Sequence, residues 1–282
     1  MQDKVSELKK IATQVRRDIV RMTHGVKSGH PGGSLGCADF FTALYFHHLQ
    51  HQAEKFDMNG HQEDLFFLSN GHISPVFYSV LARSGYFPVK ELATFRKINS
   101  RLQGHPATME ELPGIRIATG SLGQGLSVAL GAALTKKINN DPHLVYVLQG
   151  DGELQEGQNW EAFMFAAHQK LDNVITFIDY NGKQIDGPTD EVIQLGDLRA
   201  KLESFGWECL EMDGNDMEAV LNGLQKAKAA SGQQKPIAVI MKTIMGKGVD
   251  FMEDDHKWHG VPPNDEQLAK ALEQLTESLG DY

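Results

Sequence analysis

The sequence has few of the features that mark secreted, membrane-spanning or nucleic-acid-binding proteins. Among its 282 residues are only two cysteines, which excludes a disulfide-stapled fold and fits a reducing cytoplasm. It contains no apolar run of about 18 residues or more, the length that a membrane-spanning helix needs. With 27 Lys and Arg against 37 Asp and Glu, its net charge of −10 opposes binding to nucleic-acid phosphates. We therefore expect a cytoplasmic protein with neither a membrane nor a nucleic acid as its partner.

Two common nucleotide-binding signatures are also missing. No segment fits G-x-x-x-x-G-K-[ST], the phosphate-binding loop of nucleoside triphosphatases. The glycine-rich stretch GSLGQG at 120–125 does not fit G-x-G-x-x-G, the fingerprint of dinucleotide-binding domains. Neither class of enzyme is therefore supported.

What the sequence does contain is a regular alternation of strand-like and helix-like segments. Strands are predicted at 64–68, 143–148, 174–178, 208–211 and 237–241, the clearest of them from short apolar runs such as those at 64–68 and 143–148. Helices are predicted by amphipathic or small-residue segments, chiefly at 3–23, 38–49, 75–82, 126–138, 198–205, 217–229 and 265–279. The glycine-rich stretch 25–36 predicts a loop. This order indicates an α/β fold, an open and mainly parallel sheet with helices on both faces, and we expect residues 1–282 to form a single domain.

Two of the predicted strands end in polar, glycine-containing segments that suit a metal ion. Asp151 follows one strand in the segment GDG, and Asn181 follows the next strand in the segment NGK. The 30 residues between them match one helix plus one strand, so the two side chains are expected at adjacent strand ends. Carboxylate and amide oxygens suit a hard cation such as Mg²⁺. The alternative is that both segments are ordinary turns.

A series of sequence blocks in the same order resembles the transketolase family. The segments around these two loops, GDGELQEGQNWEA and IDYNGKQIDG, are similar to the thiamine diphosphate motif of that family. Further similar blocks are SGHPGGSLG at 28–36, LSNGHISPVFYSVLARSGYF at 68–87, QGHP at 103–106, ATGSLGQGLSVALGAAL at 118–134 and KTIMGKGVDFMEDDHKWHG at 242–260. Deoxyxylulose-phosphate synthases and the α subunits of 2-oxoacid dehydrogenases also carry a GDG and Asn site. The SGHPGGS and HKWHG segments favour transketolase over both.

The resemblance implies a thiamine diphosphate-binding fold of the type that grips the diphosphate and the metal. The expected ligands of Mg²⁺, or of Ca²⁺ or Mn²⁺ in its place, are Asp151, the side chain of Asn181 and the backbone carbonyl of Lys183. The family commonly has an isoleucine or a similar residue where Lys183 stands, a difference that a backbone ligand tolerates. Further expected cofactor contacts are Gly152 at the diphosphate, Gly120, Ser121 and Leu122 at the aminopyrimidine ring, and Ile185 packing against the cofactor.

Four of the 12 histidines lie in glycine-bearing loops inside these blocks, and imidazole suits proton transfer near neutral pH. The resemblance implies that they line a substrate channel and act in catalysis: His30, His72, His105 and His259. His72 and His259 are also expected to contact the cofactor. A single histidine is more often structural, so the prediction depends on the four together. The resemblance places Glu156 at a subunit interface beside the cofactor, coupled to a catalytic glutamate of the partner, although an acid early in a helix also suits the helix dipole.

The chain is less than half as long as a full transketolase, and the pyrimidine-binding and C-terminal domains of the family have no counterpart in it. We therefore expect the N-terminal subunit of a two-gene transketolase. Its partner would be a C-terminal subunit carrying the pyrimidine-binding domain and the catalytic glutamate, in a two-fold α2β2 assembly. Together they would transfer a two-carbon ketol unit from a ketose phosphate to an aldose phosphate. Two alternatives stay open: a transketolase specialised for a branched or sulfonated sugar, and a non-catalytic homologue with a binding or regulatory role.

Overall fold

A computed structural model describes residues 2–282 of the protein. Seven strands occur in these residues: β1 (Leu65–Leu68), β2 (Val145–Gly150), β3 (Val174–Tyr180), β4 (Lys183–Gln184), β5 (Gly187–Pro188), β6 (Glu208–Asp213) and β7 (Ile237–Lys242). Five of them form one sheet in the order β1–β2–β3–β7–β6, and every neighbouring pair is parallel. β4 and β5 form a small antiparallel pair. The predicted parallel sheet is confirmed, and all five of its strands lie within a few residues of the predicted apolar runs.

Helices connect the strands and cover the sheet. They are α1 (Gln2–Gly25), α2 (Pro31–Gly36), α3 (Ala38–Ala43), α4 (Ser74–Arg83), α5 (Gly125–Ile138), α6 (Gly157–His168), α7 (Thr189–Val192), α8 (Leu198–Ser204), α9 (Met217–Ala230) and α10 (Asp265–Gln274). α3 continues into a π-helical turn at Leu44–His48. Within residues 2–282, no helix combines the length and the apolar composition that a bilayer crossing requires.

Alternate residues of the strands enter two separate apolar clusters, as side chains of a strand must when both faces of the sheet are buried. One cluster joins alternate strand residues to α1, α3, α4 and α9, and the other joins the intervening residues to α5, α6 and α8. Tyr146 and Leu148, for example, belong to the first cluster, whereas Val145 and Val147 belong to the second. The helices therefore lie on both faces, as predicted.

The prediction of a loop across 25–36 is wrong in its second half, where α2 forms. Pro31 occupies the start of α2, where its missing N–H costs no helical hydrogen bond. The glycines that disfavour a helix are needed for packing. A Cβ on Gly32 would lie 2.7 Å from the Met245 side chain, and one on Gly36 would lie 2.9 Å from the Ile244 carbonyl. Close packing against the segment after β7 therefore outweighs the weak helical propensity of glycine.

The last predicted helix is shorter than expected, because α10 ends at Gln274 rather than near residue 279. The chain after it turns back onto α1. There Gln14 accepts hydrogen bonds from the backbone N–H groups of Ser278 (2.9 Å) and Leu279 (3.1 Å), and Arg17 binds the Asp281 carboxylate at 2.7 Å. These contacts hold the tail in an irregular conformation that its helical composition does not reveal.

Candidate active site

A cavity of about 340 Å³ lies at the carboxyl ends of β1, β2 and β3. β1 leads into Asn70 and His72, β2 into Asp151, and β3 into Asn181. Because parallel strands end at the same edge of the sheet, these residues meet although they are far apart in sequence. This edge is where open parallel sheets bind their ligands.

All the predicted site residues except Ser121 line this one cavity. They are His30, His72, His105, Gly120, Leu122, Asp151, Gly152, Glu156, Asn181, Lys183, Ile185 and His259. Ser121 is exposed between two lining residues, and its expected backbone contact with a cofactor stays a prediction. The roles expected of the lining residues are likewise predictions, but their proximity is a property of the fold.

The part of the cavity formed by Asp151, Asp179, Asn181 and Lys183 is called the floor below. Backbone donors hold the Asp151 carboxylate there. Its side chain is 2% exposed, and its two oxygens accept hydrogen bonds from the N–H groups of Gly152 at 2.8 Å and Gly182 at 2.6 Å. Gly182 adopts a left-handed conformation with φ of +70°, which glycine tolerates best. The glycine after Asn181 therefore serves to turn an N–H towards Asp151, which explains the NG pair.

Asn181 and Lys183 lie in the loop and short strand that follow β3. The Asn181 amide donates to Asp179 at 3.0 Å, and its oxygen accepts from the Lys183 N–H at 2.9 Å. Lys183 faces Pro188 across the β4–β5 ribbon in a pair that exchanges no hydrogen bond, because the neighbouring Thr189 N–H bonds the Gly182 carbonyl at 3.0 Å. The ammonium of Lys183 contacts Asp254 at 3.2 Å, so its charge is engaged away from Asp151.

Two carboxyl groups, those of Asp151 and Asp179, are buried near each other at this part of the cavity. Burial raises the pKa of Asp151 to about 7, and the neighbouring Asp179 carboxylate raises it as well, against the opposing effect of the Gly182 and Gly152 N–H donors. Burial also raises the pKa of Asp179. Two carboxylic groups removed from water in this way are stabilised by a nearby cation.

The donor set available for such a cation is not of the histidine and cysteine type. Within residues 2–282, no group of three or more His, Cys, Asp or Glu side chains has the arrangement of a metal site. An ion at Asp151 would depend on the amide oxygen of Asn181 and on backbone carbonyls in addition to the carboxylate. Oxygen-only sets of this kind suit Mg²⁺, Ca²⁺ or Mn²⁺ rather than Zn²⁺.

Another part of the lining, called the wall below, is a cluster of four imidazole rings. The ring centroid of His30 lies 5.2 Å from that of His72, 6.0 Å from that of His105 and 5.5 Å from that of His259. The rings of His72 and His259 are stacked at 5.0 Å. Four separate loops supply these rings, so the cluster exists only in the folded chain.

These histidines are held in their neutral form. Burial lowers the pKa of His30 to about 3, with further lowering by His259, Arg96 and His105. Burial likewise lowers the pKa of His72 well below its ordinary value, and those of His105 and His259 less strongly. The buried Nδ1 atoms of His30 and His259 have no hydrogen-bond partner among the described residues. Neutral rings with unpartnered nitrogens are suited to bind hydroxyl groups and to exchange protons with them.

Several lining residues are not singled out by the sequence patterns. They are Gly33, Asn70, Gly150, Glu153, Gln155, Asp179, Gln184 and Met245. Asn70 lies inside the SNGH segment, and its buried Oδ1 has no partner in residues 2–282, a state that sequence does not reveal. Asp179 is missed because the predicted apolar run ends at residue 178, whereas β3 continues to Tyr180. A strand prediction extended by two residues would include it.

Comparison with known proteins agrees with the fold. A family model described as the thiamine diphosphate-binding domain of transketolase matches residues 8–278. The chain belongs to the transketolase family. Among solved structures, the transketolase from Campylobacter jejuni superposes with a TM-score of 0.88 at 36% sequence identity. The superposition covers 95% of this chain and 42% of that transketolase.

Curated relatives of this transketolase-family chain fall into two sizes. One subunit of the apulose-4-phosphate transketolase of Phocaeicola vulgatus is 37% identical over 264 residues, which cover 94% of this chain and 92% of the relative. The 6-deoxy-6-sulfo-D-fructose transketolase subunit SqwG of Clostridium sp. is 36% identical, with 98% of both chains covered. Human transketolase is 37% identical over 262 residues, but this chain spans only 41% of its length. The similarity therefore extends over nearly the full length of the two subunits and over less than half of human transketolase.

Proposed function

We propose that this chain is the N-terminal subunit of a transketolase that depends on thiamine diphosphate and Mg²⁺. With a C-terminal partner subunit it transfers a two-carbon ketol unit from a ketose phosphate to an aldose phosphate. The observation that carries this proposal is the cavity itself, which joins an acidic floor at Asp151 to a wall of four neutral histidines. Membership of the family supports the cofactor, and the metal and the residue roles are inferred from the donor chemistry.

The residues at the floor fit a divalent ion bound to a diphosphate. We assign Asp151, the Asn181 amide oxygen and the Lys183 carbonyl as its protein ligands. The Lys183 carbonyl points away from β5, because Lys183 and Pro188 form a non-hydrogen-bonded pair of the ribbon. Mg²⁺ usually takes its remaining ligands from phosphate oxygens and water, and Ca²⁺ or Mn²⁺ fits the same oxygens. We assign Gly152 to the diphosphate, since glycine allows close approach of the backbone; a Cβ at this position would lie 3.2 Å from the Gln184 side chain.

The upper part of the cavity fits the rest of the cofactor and the sugar. We assign Gly120, Ser121 and Leu122 to the aminopyrimidine ring and Ile185 to an apolar contact. Ile185 is 62% exposed at the cavity edge, so its side chain is free to pack against a bound group. When bound, thiamine diphosphate supplies the electron sink for breaking and forming the carbon–carbon bond.

We assign the four histidines to the hydroxyl groups of the sugars. In neutral form each ring offers one donor and one acceptor nitrogen, so His30 and His259 can bind two hydroxyls and move a proton between a sugar oxygen and a ring nitrogen. His72 and His105 would hold the first carbons of the donor near the cofactor. His72 and His259 also contact the cofactor in this assignment.

A partner chain is part of the proposal. We infer that residues 1–282 form one diphosphate-gripping domain and that the pyrimidine-binding domain, with its catalytic glutamate, comes from a second polypeptide in an α2β2 assembly in the cytoplasm. Two relatives of nearly the same length are named as transketolase subunits, which supports this division. Exposed apolar side chains on the adjacent helices α5 and α6, among them Met164 (55% exposed) and Phe165 (43% exposed), offer a surface for the partner. Glu156 begins α6 at the cavity edge, where it can meet the partner's glutamate.

The test is an assay of ketol transfer with purified components. The chain is assayed alone and with a co-expressed C-terminal transketolase subunit, each with and without thiamine diphosphate and Mg²⁺. We expect turnover only when both chains, the cofactor and the ion are present. Robust turnover by this chain alone would refute the divided site. A reconstituted pair that is inactive with a panel of ketose and aldose phosphates, including branched and sulfonated sugars, would refute the activity.

A further inference from the structure

A buried carboxylate beneath the cavity has no part in the chemistry proposed above. Glu153 lies in the helical turn Gly152–Gln155 after β2 and is 2% exposed. One of its carboxylate oxygens accepts hydrogen bonds from the Ser69 hydroxyl and from the Gly123 N–H at 2.7 Å. The other accepts from the Gly150 N–H at 3.0 Å. A single side chain thus binds donors from three different segments.

Each of those three segments carries residues that line the cavity. Ser69 directly precedes Asn70 and His72 of the loop after β1, and Gly123 follows the 120–122 segment assigned to the aminopyrimidine ring. Gly150 directly precedes Asp151. The Ser69 hydroxyl also accepts a hydrogen bond from the N–H of Gly125 at 3.1 Å, which joins the first two segments again.

A series of hydrogen bonds between buried polar side chains fixes the backbone at Glu153. Its backbone carbonyl accepts a hydrogen bond from the Asn159 amide at 2.7 Å, and Asn159 in turn accepts from Gln149 at 2.8 Å. The Gln149 oxygen accepts from the Thr176 hydroxyl of β3 at 2.9 Å. The chain of hydrogen bonds therefore connects β3, β2 and α6 to the turn that holds the carboxylate, so Glu153 is fixed relative to the sheet.

The partners of Glu153 explain why a carboxylate is needed at this position. All hydrogen-bond partners of the Glu153 carboxylate in residues 2–282 are donors: one hydroxyl and two backbone N–H groups. An ionised carboxylate accepts at both oxygens, whereas an amide offers one accepting oxygen and one donating NH₂ group. Glutamine at this position would set its NH₂ against a backbone N–H, so at least one segment would lose its connection.

From this geometry we propose that Glu153 is a positioning residue, which holds the loop after β1, the 120–125 segment and the Asp151 loop at the spacing that the cofactor requires. The proposal rests on the proposed function for its ligand, but the contacts that carry it are those of the protein alone. It predicts that loss of the carboxylate loosens cofactor binding and leaves the chemical step intact.

The experiment compares Glu153→Gln with Glu161→Gln, a matched control that neutralises an exposed glutamate on α6. In this chain without cofactor, amide hydrogen exchange is measured at Gly123, Gly125 and Gly150. In the reconstituted complex, the KM for thiamine diphosphate is measured separately from kcat at saturating cofactor. We expect Glu153→Gln to accelerate exchange at Gly123 or Gly150 at least tenfold and to raise the cofactor KM at least tenfold, with kcat changed less than threefold. The control variant is expected to match the wild-type protein in both measurements.

The outcomes separate this proposal from the proposed function. Unchanged exchange at all three glycines, or a fall in kcat with an unchanged cofactor KM, would overturn the positioning role. If the wild-type complex shows no cofactor-dependent activity, the proposed function fails, and the exchange measurement alone decides the role of Glu153. Should Glu153→Gln not fold, Ser69→Ala replaces it. That variant removes both hydrogen bonds of the Ser69 hydroxyl, the one to Glu153 and the one from Gly125. Exchange is therefore expected to rise at Gly125 directly and at Gly123 through the loosened Glu153 carboxylate, and an unchanged rate at Gly123 would overturn the proposal.

Discussion

The two ends of the cavity are built in opposite ways. At the floor, the acidic side chains are bound by backbone N–H groups and by neighbouring polar side chains, as Asp151 is by Gly152 and Gly182. At the wall, four imidazoles contact one another mainly through their rings, and two of them keep an unpartnered nitrogen among the described residues. The floor is thus acidic and fixed by hydrogen bonds, whereas the wall is neutral and has hydrogen-bonding capacity to spare.

This difference separates binding from catalysis in physical terms. An acceptor-rich floor with fixed geometry is stabilised by a cation, and the cation attracts a diphosphate. A wall of neutral imidazoles gains little from a cation but can exchange protons with hydroxyl groups. Substitutions at the two ends should therefore have different signatures, and the following experiments test that separation, beginning with the largest effect.

Asp151→Ala should have the largest effect, because it removes the only carboxylate assigned to the ion. We expect Mg²⁺-dependent binding of thiamine diphosphate to weaken by about 100-fold or more, while the melting temperature stays close to that of the wild-type protein. Calorimetric titration of the reconstituted complex measures the affinity. Glu191→Ala, which removes an exposed carboxylate on α7, is the control. Near-normal affinity in Asp151→Ala would show that the ion is held elsewhere.

His259→Ala should have the converse signature at the wall. Loss of a proton-transferring ring lowers kcat by about 100-fold or more, whereas cofactor affinity should fall by less than about tenfold, because His259 supplies only one of several contacts to the cofactor. Steady-state kinetics at saturating cofactor, together with the same calorimetric titration, measures the two quantities. His61→Ala, in the exposed loop before β1, is the control. Equal losses of cofactor affinity in His259→Ala and Asp151→Ala would contradict the separation of the two ends.

Local sequence patterns predict the sheet well and the two ends of the cavity only in part. The central strands are predictable because both faces of the sheet are buried there, so each is a nearly continuous apolar run, such as Val174 to Ile178. The lining residues are found through family motifs, since a single histidine or a GDG segment is ambiguous. α2, Glu153 and the unpartnered Asn70 oxygen are not found. Each depends on contacts between distant segments, such as the packing of Gly32 against Met245, which no local pattern records.

A third experiment tests whether the exposed apolar surface beside the cavity binds the partner subunit. Phe165→Asp introduces a charge on α6 that would be desolvated in an interface, so we expect the affinity between the subunits to fall about tenfold or more. Sedimentation of the mixed chains measures it. Met58→Asp, on the loop before β1 at the edge of the sheet, should leave assembly unchanged. Equal assembly by both variants would remove α6 from the interface.

The smallest expected effect concerns how the free energy of unfolding depends on pH through His30. Because the pKa of His30 is lowered to about 3 in the folded chain, the unfolded chain binds more protons below the ordinary histidine pKa of about 6.5. Stability therefore falls as the pH drops from about 6.5 towards 3. Between pH 7 and pH 5 the wild-type chain should lose about 1–2 kcal/mol more unfolding free energy than His30→Asn.

Denaturant unfolding at the two pH values measures this loss. The comparison with His30→Asn cancels the contributions of carboxylates that both chains share, including the buried acids at the floor. The neighbouring His72, His105, His259 and Arg96 are present in both chains. An equal loss in the two chains would show that His30 is not kept neutral by its surroundings.

The most direct measurement is the position of the ion in a crystal of the assembled subunits grown with Mn²⁺ and thiamine diphosphate, read from anomalous scattering. We expect one peak at the floor of the cavity, at about 2.1–2.2 Å from an Asp151 carboxylate oxygen, the Asn181 amide oxygen and the Lys183 carbonyl. A peak among the histidines would contradict the division between an ion-binding floor and a proton-exchanging wall. So would a geometry in which Asp151 and Asn181 lie too far apart to share one ion.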